Sequence, residues 1–329
     1  MSLELNRDLA NKFILSNNIS KYEINKIAGD ASFRSYYRVS SNLGSYILMY
    51  APPLYEKIDS FILIDKFLCD NNFSAPQIFS IDKDNGFILL EDFGDKTYSK
   101  ILIENKSKEF EEIIYIKACD CLINLHKSNI SSLKIESYNI GMLFREVMLF
   151  VDWYLPYIKN IKLSVEQIAI YKSLWFQLFD DLSSDMVVVL RDYHADNLMI
   201  IEDRLEYKAV GLLDFQDAVI GSKAYDLVSL LEDARRDVSQ ELAEIIINYY
   251  VDKSKINKDI FLRDYAILSL QRNIKILGIF ARLAYRDGKV NYLNFIARVK
   301  NHIFKRNDIN KNSANSKFIA ISEFIEKLI

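Results

Sequence analysis

The sequence predicts an α+β protein of two lobes, a small antiparallel β-lobe holding one helix followed by a large, mostly helical lobe. Three observations lead there. Residues 21–50 and 77–93 read as short strands punctuated by Gly, Asn and Pro. From Tyr98 onward apolar residues recur at helical spacing. One strand-rich interruption, residues 186–215, breaks the helical region and carries a dense polar cluster. The lobes are expected at 1–92 and 93–329.

Taken in order, residues 4–17 read as a helix, then "YEINKIAG", "SFRSYYRVSS" and "SYILMYAPP" as strands separated at Gly29, at Asn42 and Gly44, and at Pro52 and Pro53. A helix is expected from Lys57 to Cys69. The strands "QIFSID" and "GFILLEDF" flank "KDNG", and Asn-Gly is a strong hairpin signal. "SKEFEEIIYIKACDCLINLHKS", "FREVMLFVDWYL" and "VEQIAIYKSLWFQLFDDL" follow as helices. Next come the strand "MVVVL" and a hairpin "LMIIEDRLEYKAVGLLDF", then helices almost to the end. A polar linker is expected at about 305–317, before a terminal helix "FIAISEFIEKL".

Composition narrows the class. The chain has 329 residues, half hydrophobic and 13% aromatic, so intrinsic disorder is excluded. Net charge is −3 with dispersed basic residues, which is not the footprint of a nucleic-acid binder. Cys69, Cys119 and Cys121 cannot build a disulfide framework or a zinc site and read as small core residues. The charged amphipathic start is no signal peptide and no run is long enough to span a bilayer, so a cytoplasmic location without membrane contact is expected. The sequence carries no signal for oligomeric state.

The polar cluster is "LRDYHADNLMI", residues 190–200, which leaves a β-branched strand and places Arg191, Asp192, His194, Asp196 and Asn197 between apolar runs. Charges at the mouth of a core are costly unless paired or bound to something. Asp192 and Asn197 have the D-x-x-x-x-N spacing of a kinase catalytic loop. Seventeen residues after Asn197, with room for one hairpin, "LLDFQDA" puts Asp214 at a strand end, where the magnesium-binding Asp of a D-F-G motif stands. Either half is weak alone, but both in order point to phosphoryl transfer, which needs positioning and charge neutralisation more than covalent chemistry. Asp192 would orient the attacking hydroxyl, and Asn197 and Asp214 would hold magnesium through hard oxygens. His194 is expected to orient the loop and Asp196 to cap the next element. Asp226 in "AYDLVSLL" is expected to cap a helix or brace the loop. The order of elements is that of a bilobal protein-kinase-like fold.

The stretches "GDASFRSYYRV", "GFILLEDFGD", "LFVDWYL", "RDYHADNLM", "VGLLDFQDAVIGSKAYDLVSLLEDARRDV" and "QRNIKILGIFARLAYRDGK" span residues 29–289. On them the chain resembles the aminoglycoside-phosphotransferase-type kinases, and more closely the bacterial anomeric amino-sugar kinases. That resemblance implies ATP and Mg2+ as cofactors. It also implies transfer of the γ-phosphate to the C1 hydroxyl of N-acetylmuramate or N-acetylglucosamine, in the recycling of cell-wall sugars.

Two departures stand out. The histidine that usually precedes Arg-Asp is Leu190, and the third strand, "YILMYAPP", has Met49 where a protein kinase has its phosphate-pairing Lys. The candidate replacement lies in the loop "GDASFRSYYRV". Small Gly29, Ala31 and Ser32 let backbone N–H groups approach phosphates. Alternation puts Arg34, Tyr36 and Arg38 on one face, Arg34 toward the phosphates and Tyr36 toward adenine; solvated edge charges are the other reading of Arg34 and Arg38. "LLEDFG" resembles a hinge whose backbone at Glu91 and Phe93 would bond the base edge. For the acceptor, Asp152 and Trp153 are candidates to bind and stack a sugar, and Gln216 and Asp217 lie near the magnesium Asp. Residues 271–300, with Arg272, Lys275, Arg282, Arg286, Lys289, Arg298 and Lys300 against one acid, favour an anionic acceptor over a polycation. A kinase for another small alcohol (an aminoglycoside, choline or a hydroxy amino acid) and a non-catalytic pseudokinase are the competing readings.

Overall fold

Asn6 starts the first helix, α1 (Arg7–Ser16), by accepting a hydrogen bond from the Leu9 N–H, which satisfies one of the donors a helix N-terminus leaves unpaired. The computed structural model describes residues 5–27, 33–310 and 315–329. The α1 residues Ala10, Phe13 and Ile14 pack with Tyr37, Val39, Leu48, Phe87 and Leu89 from one face of an antiparallel sheet. Its strands are β1 (Tyr22–Lys26), β2 (Ser35–Ser41), β3 (Gly44–Tyr50), β4 (Ile78–Asp82) and β5 (Phe87–Glu91), in the order β1-β2-β3-β5-β4. Since Tyr37 and Val39 face α1, the period of two turns Tyr36 and Arg38 to the opposite face, where Met49 registers with Tyr36 and Ile47 with Arg38. The expected Asn-Gly turn joins β4 to β5. Only glycine fits at Gly86, with φ +72° and a would-be Cβ 2.0 Å from the Ala51 oxygen.

Helix α2 (Asp59–Asp70) connects β3 to β4, and α3 (Tyr98–Glu104) follows β5. Later the chain forms β6 (Met186–Val189), the expected hairpin β7 (Leu198–Ile200) and β8 (Val210–Leu212), and β9 (Val219–Ser222). The hairpin is tied to the β-lobe by its backbone: Leu212 N donates to Ser74 O at 2.8 Å and Ile200 N to Lys96 O at 2.9 Å. Two compact units result, Met1–Lys106 with Asp196–Asp217, and Ser107–Ala195 with Ala218–Ile329. The sequence reading, with its boundary at 92, grouped 93–106 and the hairpin with the second lobe; these backbone bonds group them with the first unit.

In the second unit β6 pairs with β9, surrounded by α4 (Lys108–Leu125), α5 (Ile140–Leu149), α6 (Val165–Phe179), α7 (Ala224–Leu231), α8 (Gln240–Ser254) and α9 (Lys258–Tyr285). Ser107, Asn139, Ser164, Ser239 and Asn257 each cap the helix that follows them, so these boundaries are written locally. Helix α5 passes directly into a π-helix, Phe150–Lys159, with Pro156 inside it. Helix α9 lies against that junction so closely that a Cβ on Gly278 would sit 2.3 Å from the Leu149 carbonyl carbon. The expected polar linker is shorter than predicted. Helix α10 (Ile296–Asn310) runs into it and α11 starts at Ser316 (Ser316–Glu326), because Arg306 pairs with Glu232 at 2.7 Å and Asn307 bonds Glu326 at 3.0 Å. Among the described residues no helix is long and apolar enough to cross a membrane.

One carboxyl in the β-lobe has a testable signature. Asp65 of α2 is buried, its Oδ2 has no hydrogen-bond partner, and burial, with Glu91 adding, pushes its pKa up to about 7. An unfolded Asp titrates near ~3.9, so between roughly pH 4 and pH 7 the folded state holds a proton that the unfolded chain has released. Stability therefore falls as pH rises through that window. Asp65→Asn removes this loss: in urea denaturation at roughly pH 5 and pH 8 its stability should drop less than that of the wild type. Identical drops in both proteins would show that Asp65 is already ionised in the fold.

Candidate active site

Strand β6 ends in the core, and the chain must turn at once to bring Asp192 out. Asp226, in the first turn of α7 and fully buried, makes that turn possible: its carboxylate accepts from Leu190 N at 2.6 Å and from Arg191 N at 2.8 Å. Of the two roles expected for Asp226, the geometry is that of the brace; α7 has no side-chain cap. Burial pushes the Asp226 carboxyl up to about 7, against the downward pull of those two N–H donors. Arg191 itself is left-handed, φ +71°, a conformation costing about 1–3 kcal/mol for such a residue.

The Arg191 side chain is held as firmly as its backbone. Its guanidinium donates to Glu146 of α5 and lies 5.4 Å over the Tyr138 ring. Glu146 also accepts from Lys275 Nζ at 3.0 Å, from Gln271 Nε2 at 2.9 Å and from the Tyr138 hydroxyl. Burial pushes Glu146 up, but Lys275 and Arg191 outweigh it and keep the carboxyl below its usual range. Asp192 shows the same balance: burial opposes its charge, while His194, Lys275, Arg272 and Arg191 together hold it ionised. His194 is buried, its N–H donates to the Asp192 carbonyl at 3.1 Å, and its Nε2 faces Arg235 Nη1 at 3.2 Å. Burial and Arg235 lower its pKa, against the upward pull of Asp233 and Asp192.

Asn197 and Asp214 stand at the two ends of the β7–β8 hairpin, in the first unit. The hairpin closes with Leu213 N donating to Asn197 O at 3.0 Å, which brings Asn197 Nδ2 to 3.5 Å from Asp214 Oδ2. Asp214 is left-handed, φ +57°. Phe215 behind it is buried and stacks on Phe61 of α2 at 5.0 Å. Gln216 Nε2 donates to Asp214 Oδ1 at 2.8 Å and approaches Asp217 Oδ2 at 3.4 Å, while Gln216 Oε1 is buried with no hydrogen-bond partner.

In the β-lobe, Gly29, Ala31 and Ser32 lie outside the described residues. Arg34 pairs with Glu56 at 3.7 Å, and the same carboxylate accepts from Phe33 N at 3.2 Å. Arg38 is not a solvated edge charge. It binds Asp92 through Nε (2.7 Å) and Nη2 (3.1 Å), Asp95 at 2.9 Å and the Gly94 carbonyl at 3.0 Å. Burial raises the Asp92 pKa, but the Ser45 hydroxyl and Arg38 outweigh it and keep the carboxylate charged. Glu91 N donates within the sheet to Gln77 O at 2.9 Å, and the Glu91 side chain pairs with Arg204, whose guanidinium lies 5.3 Å over the Phe93 ring.

The acceptor candidates divide. Trp153 is half-buried and stacks on Tyr157 at 5.3 Å, and Asp152 is exposed with its pKa raised by burial against Lys172. Arg272 is corrected: it is 4% exposed, and its guanidinium bonds Ser229 Oγ at 2.8 Å and the Glu232 carbonyl at 3.5 Å, so it supplies charge to Asp192 from within the core. The basic strip of 271–300 is likewise less open than its composition suggests, with Lys275, Arg286 and Arg298 all paired to acids. Glu146 was missed. Its signal was an acid on the apolar stripe of "GMLFREVMLF", three residues after Leu143.

The sequence model of the phosphotransferase enzyme family matches residues 23–258. The chain is 31% identical to the N-acetylmuramate/N-acetylglucosamine kinase of Caulobacter vibrioides, over 91% of this chain and 92% of that one. It is 34% identical to the protein of the same name from Pseudomonas aeruginosa, over 84% and 81%. Choline kinase LicA from Streptococcus pneumoniae has the same fold, with a TM-score of 0.64 at 13% identity over 91% of this chain and 99% of that one. With a family match over most of its length and kinases as its relatives, the chain belongs to the phosphotransferase enzyme family.

Proposed function

We propose that the protein transfers the γ-phosphate of ATP, with magnesium, to the anomeric C1 hydroxyl of N-acetylmuramate or N-acetylglucosamine. The observation that carries this reading is the 31% and 34% identity, over most of both chains, to two kinases named for those sugars. That Asp192, Asn197 and Asp214 are all present supports it.

Asp192 orients the C1 hydroxyl and accepts its proton. No raised pKa is needed, because the hydroxyl loses its proton late in a loose transition state. The cations that keep Asp192 ionised suit that role. Asn197 and Asp214 offer an amide and a carboxylate, the hard oxygen donors magnesium takes. A half-turn of the Asn197 amide puts Oδ1 beside Asp214, and the unpartnered Gln216 Oε1 is a further oxygen next to that carboxylate. When bound, magnesium neutralises charge on the β- and γ-phosphates. Gly29, Ala31 and Ser32, outside the described residues, are small enough for their N–H groups to meet the phosphates, and Arg34, braced by Glu56, takes the part of the Lys that Met49 replaces. Tyr36 faces the adenine. Since the Glu91 N–H is committed to Gln77, the base edge is met by the Glu91 carbonyl and the Phe93 N–H.

The test is ATP consumption with amino sugars, aminoglycosides and choline as acceptors. Turnover is expected with N-acetylmuramate or N-acetylglucosamine, and turnover of an aminoglycoside with neither sugar would overturn the proposal. Asp192→Ala should lower kcat by at least about a hundredfold while nucleotide affinity, read by calorimetry, survives. Near-normal turnover in the folded variant would remove Asp192 from its role. Asp226→Asn turns an N–H toward one of the two backbone donors it should accept from, leaving a buried donor unpaired. It should cost about 1–3 kcal/mol of stability in urea denaturation and lower kcat, since the Asp192 loop loses its brace. An unchanged midpoint and kcat would count against the brace.

A further inference from the structure

Most cations of α9 and the residues after it are already engaged. Lys275 pairs with Glu146, Arg272 bonds Ser229, Arg286 holds Asp287 through two bonds (2.7 and 2.9 Å), and Arg298 holds Asp237. Arg282 differs. It is half-buried, its Nε is shielded from solvent, and its side chain has no hydrogen bond or ion pair with any described residue. Burial and the neighbouring Arg286 pull its pKa down against the weaker pull of Asp287, whose carboxylate Arg286 already holds, yet an arginine stays protonated. A half-buried, unpaired guanidinium is a cost that an anion from outside the chain would remove.

Its neighbours say what kind of anion. Helix α9 runs parallel to α5 and the π-helix in steady register: Lys275 meets Glu146, Gly278 meets Leu149, and Tyr285 meets Tyr157 at 5.1 Å. In that register Arg282 comes level with Trp153. The wide π-helical turn brings residues four apart nearly into line, and Trp153 and Tyr157 stack with 19° between their rings. Lys275 and Arg282 are seven residues apart, close to two turns, so they share a face of α9 about 10 Å apart along its axis. One end of this strip holds the Lys275 charge that Asp192 feels; the other holds, by register, a guanidinium level with Trp153 and without a hydrogen-bonded partner among the described residues. A hexose ring with a short acidic substituent has that extent.

We propose that Arg282 recognises the acidic substituent of the acceptor sugar, the lactyl carboxylate of N-acetylmuramate, with the sugar ring against Trp153 and its C1 hydroxyl toward Asp192. The inference rests on the kinase reading above and adds the residue that separates the acidic sugar from the neutral one. A guanidinium fits a carboxylate through two parallel hydrogen bonds, and nothing equivalent is available to N-acetylglucosamine.

The test measures kcat/KM for both sugars in wild type, Arg282→Gln and Arg282→Lys. In Arg282→Gln the ratio of N-acetylmuramate to N-acetylglucosamine should fall by about tenfold to a hundredfold, the loss of one charge-assisted contact. Arg282→Lys, which keeps a point charge but not the fork, should recover part of it. An unchanged ratio in folded Arg282→Gln, or equal losses on both sugars, overturns the inference. If Arg282→Gln does not fold, Arg282→Lys carries the test, with a ratio lowered by roughly threefold or more expected and an unchanged ratio overturning the inference. A wild type that turns over both sugars while the variants keep the ratio overturns this inference alone. A wild type that phosphorylates neither overturns the kinase reading with it.

Discussion

The polar network behind Asp192 depends on one buried carboxylate, Glu146. Glu146 takes Arg191 and Lys275 as ion-pair partners and accepts from Gln271 and the Tyr138 hydroxyl as well. Burying a single ion costs several kcal/mol, and removing one partner of such a group leaves an uncompensated charge. Two cations on one acid leave a positive excess, and that excess acts on Asp192 against the upward push of burial. The polar network is therefore an electrostatic device. Glu146 fixes the cations in place, and the cations keep the neighbouring aspartate charged, as the role proposed for it requires.

Asp226 adds the steric half of the same arrangement. A left-handed Arg191 persists only where its surroundings over-determine it. Here its N–H is held by Asp226, its guanidinium by Glu146, and its face by the Tyr138 ring. Charge and strain are thus borne by the same residue, one position before Asp192. Asp214 repeats the pattern in the first unit, left-handed between a stacked Phe215 and the Gln216 amide.

What could be read from the sequence follows from how local each signal is. The Gly86 turn, the β7–β8 hairpin and the order Asp192, Asn197, Asp214 are set by short spacings and were legible; the caps at Ser107, Asn139, Ser164, Ser239 and Asn257 are as local but were not read. Pairings across long stretches were not. Nothing in "FREVMLF" says that its acid will meet Lys275, and nothing in β2 says that Arg38 will clasp Asp92 and Asp95 beyond β5. Arg272 misled for a related reason. A run of cations on a helix reads as a solvated face, but α9 is packed on several sides, and its polar residues Ser269, Gln271, Arg272 and Asn273 are all buried. The boundary near residue 92 was drawn from the change of periodicity, whereas the grouping of the hairpin rests on backbone bonds to Ser74 and Lys96 that leave no trace in periodicity.

The same logic explains how the β-lobe does without a lysine at Met49. That side chain is fully buried, opposite Tyr36 in β2, and a lysine there would need an acid inside α2 to receive it. The buried acid of α2 is Asp65, whose carboxyl burial pushes up to about 7. Arg34 lies instead just before β2, and its acid is Glu56, ahead of α2 rather than within it. Cation and partner have both moved out from the sheet to its approach. The pair is mostly shielded from solvent, with side-chain exposures of 11% and 19%. It leaves a fixed positive charge just before β2, where the proposed reading puts the phosphates, while Met49 of β3 packs in the core.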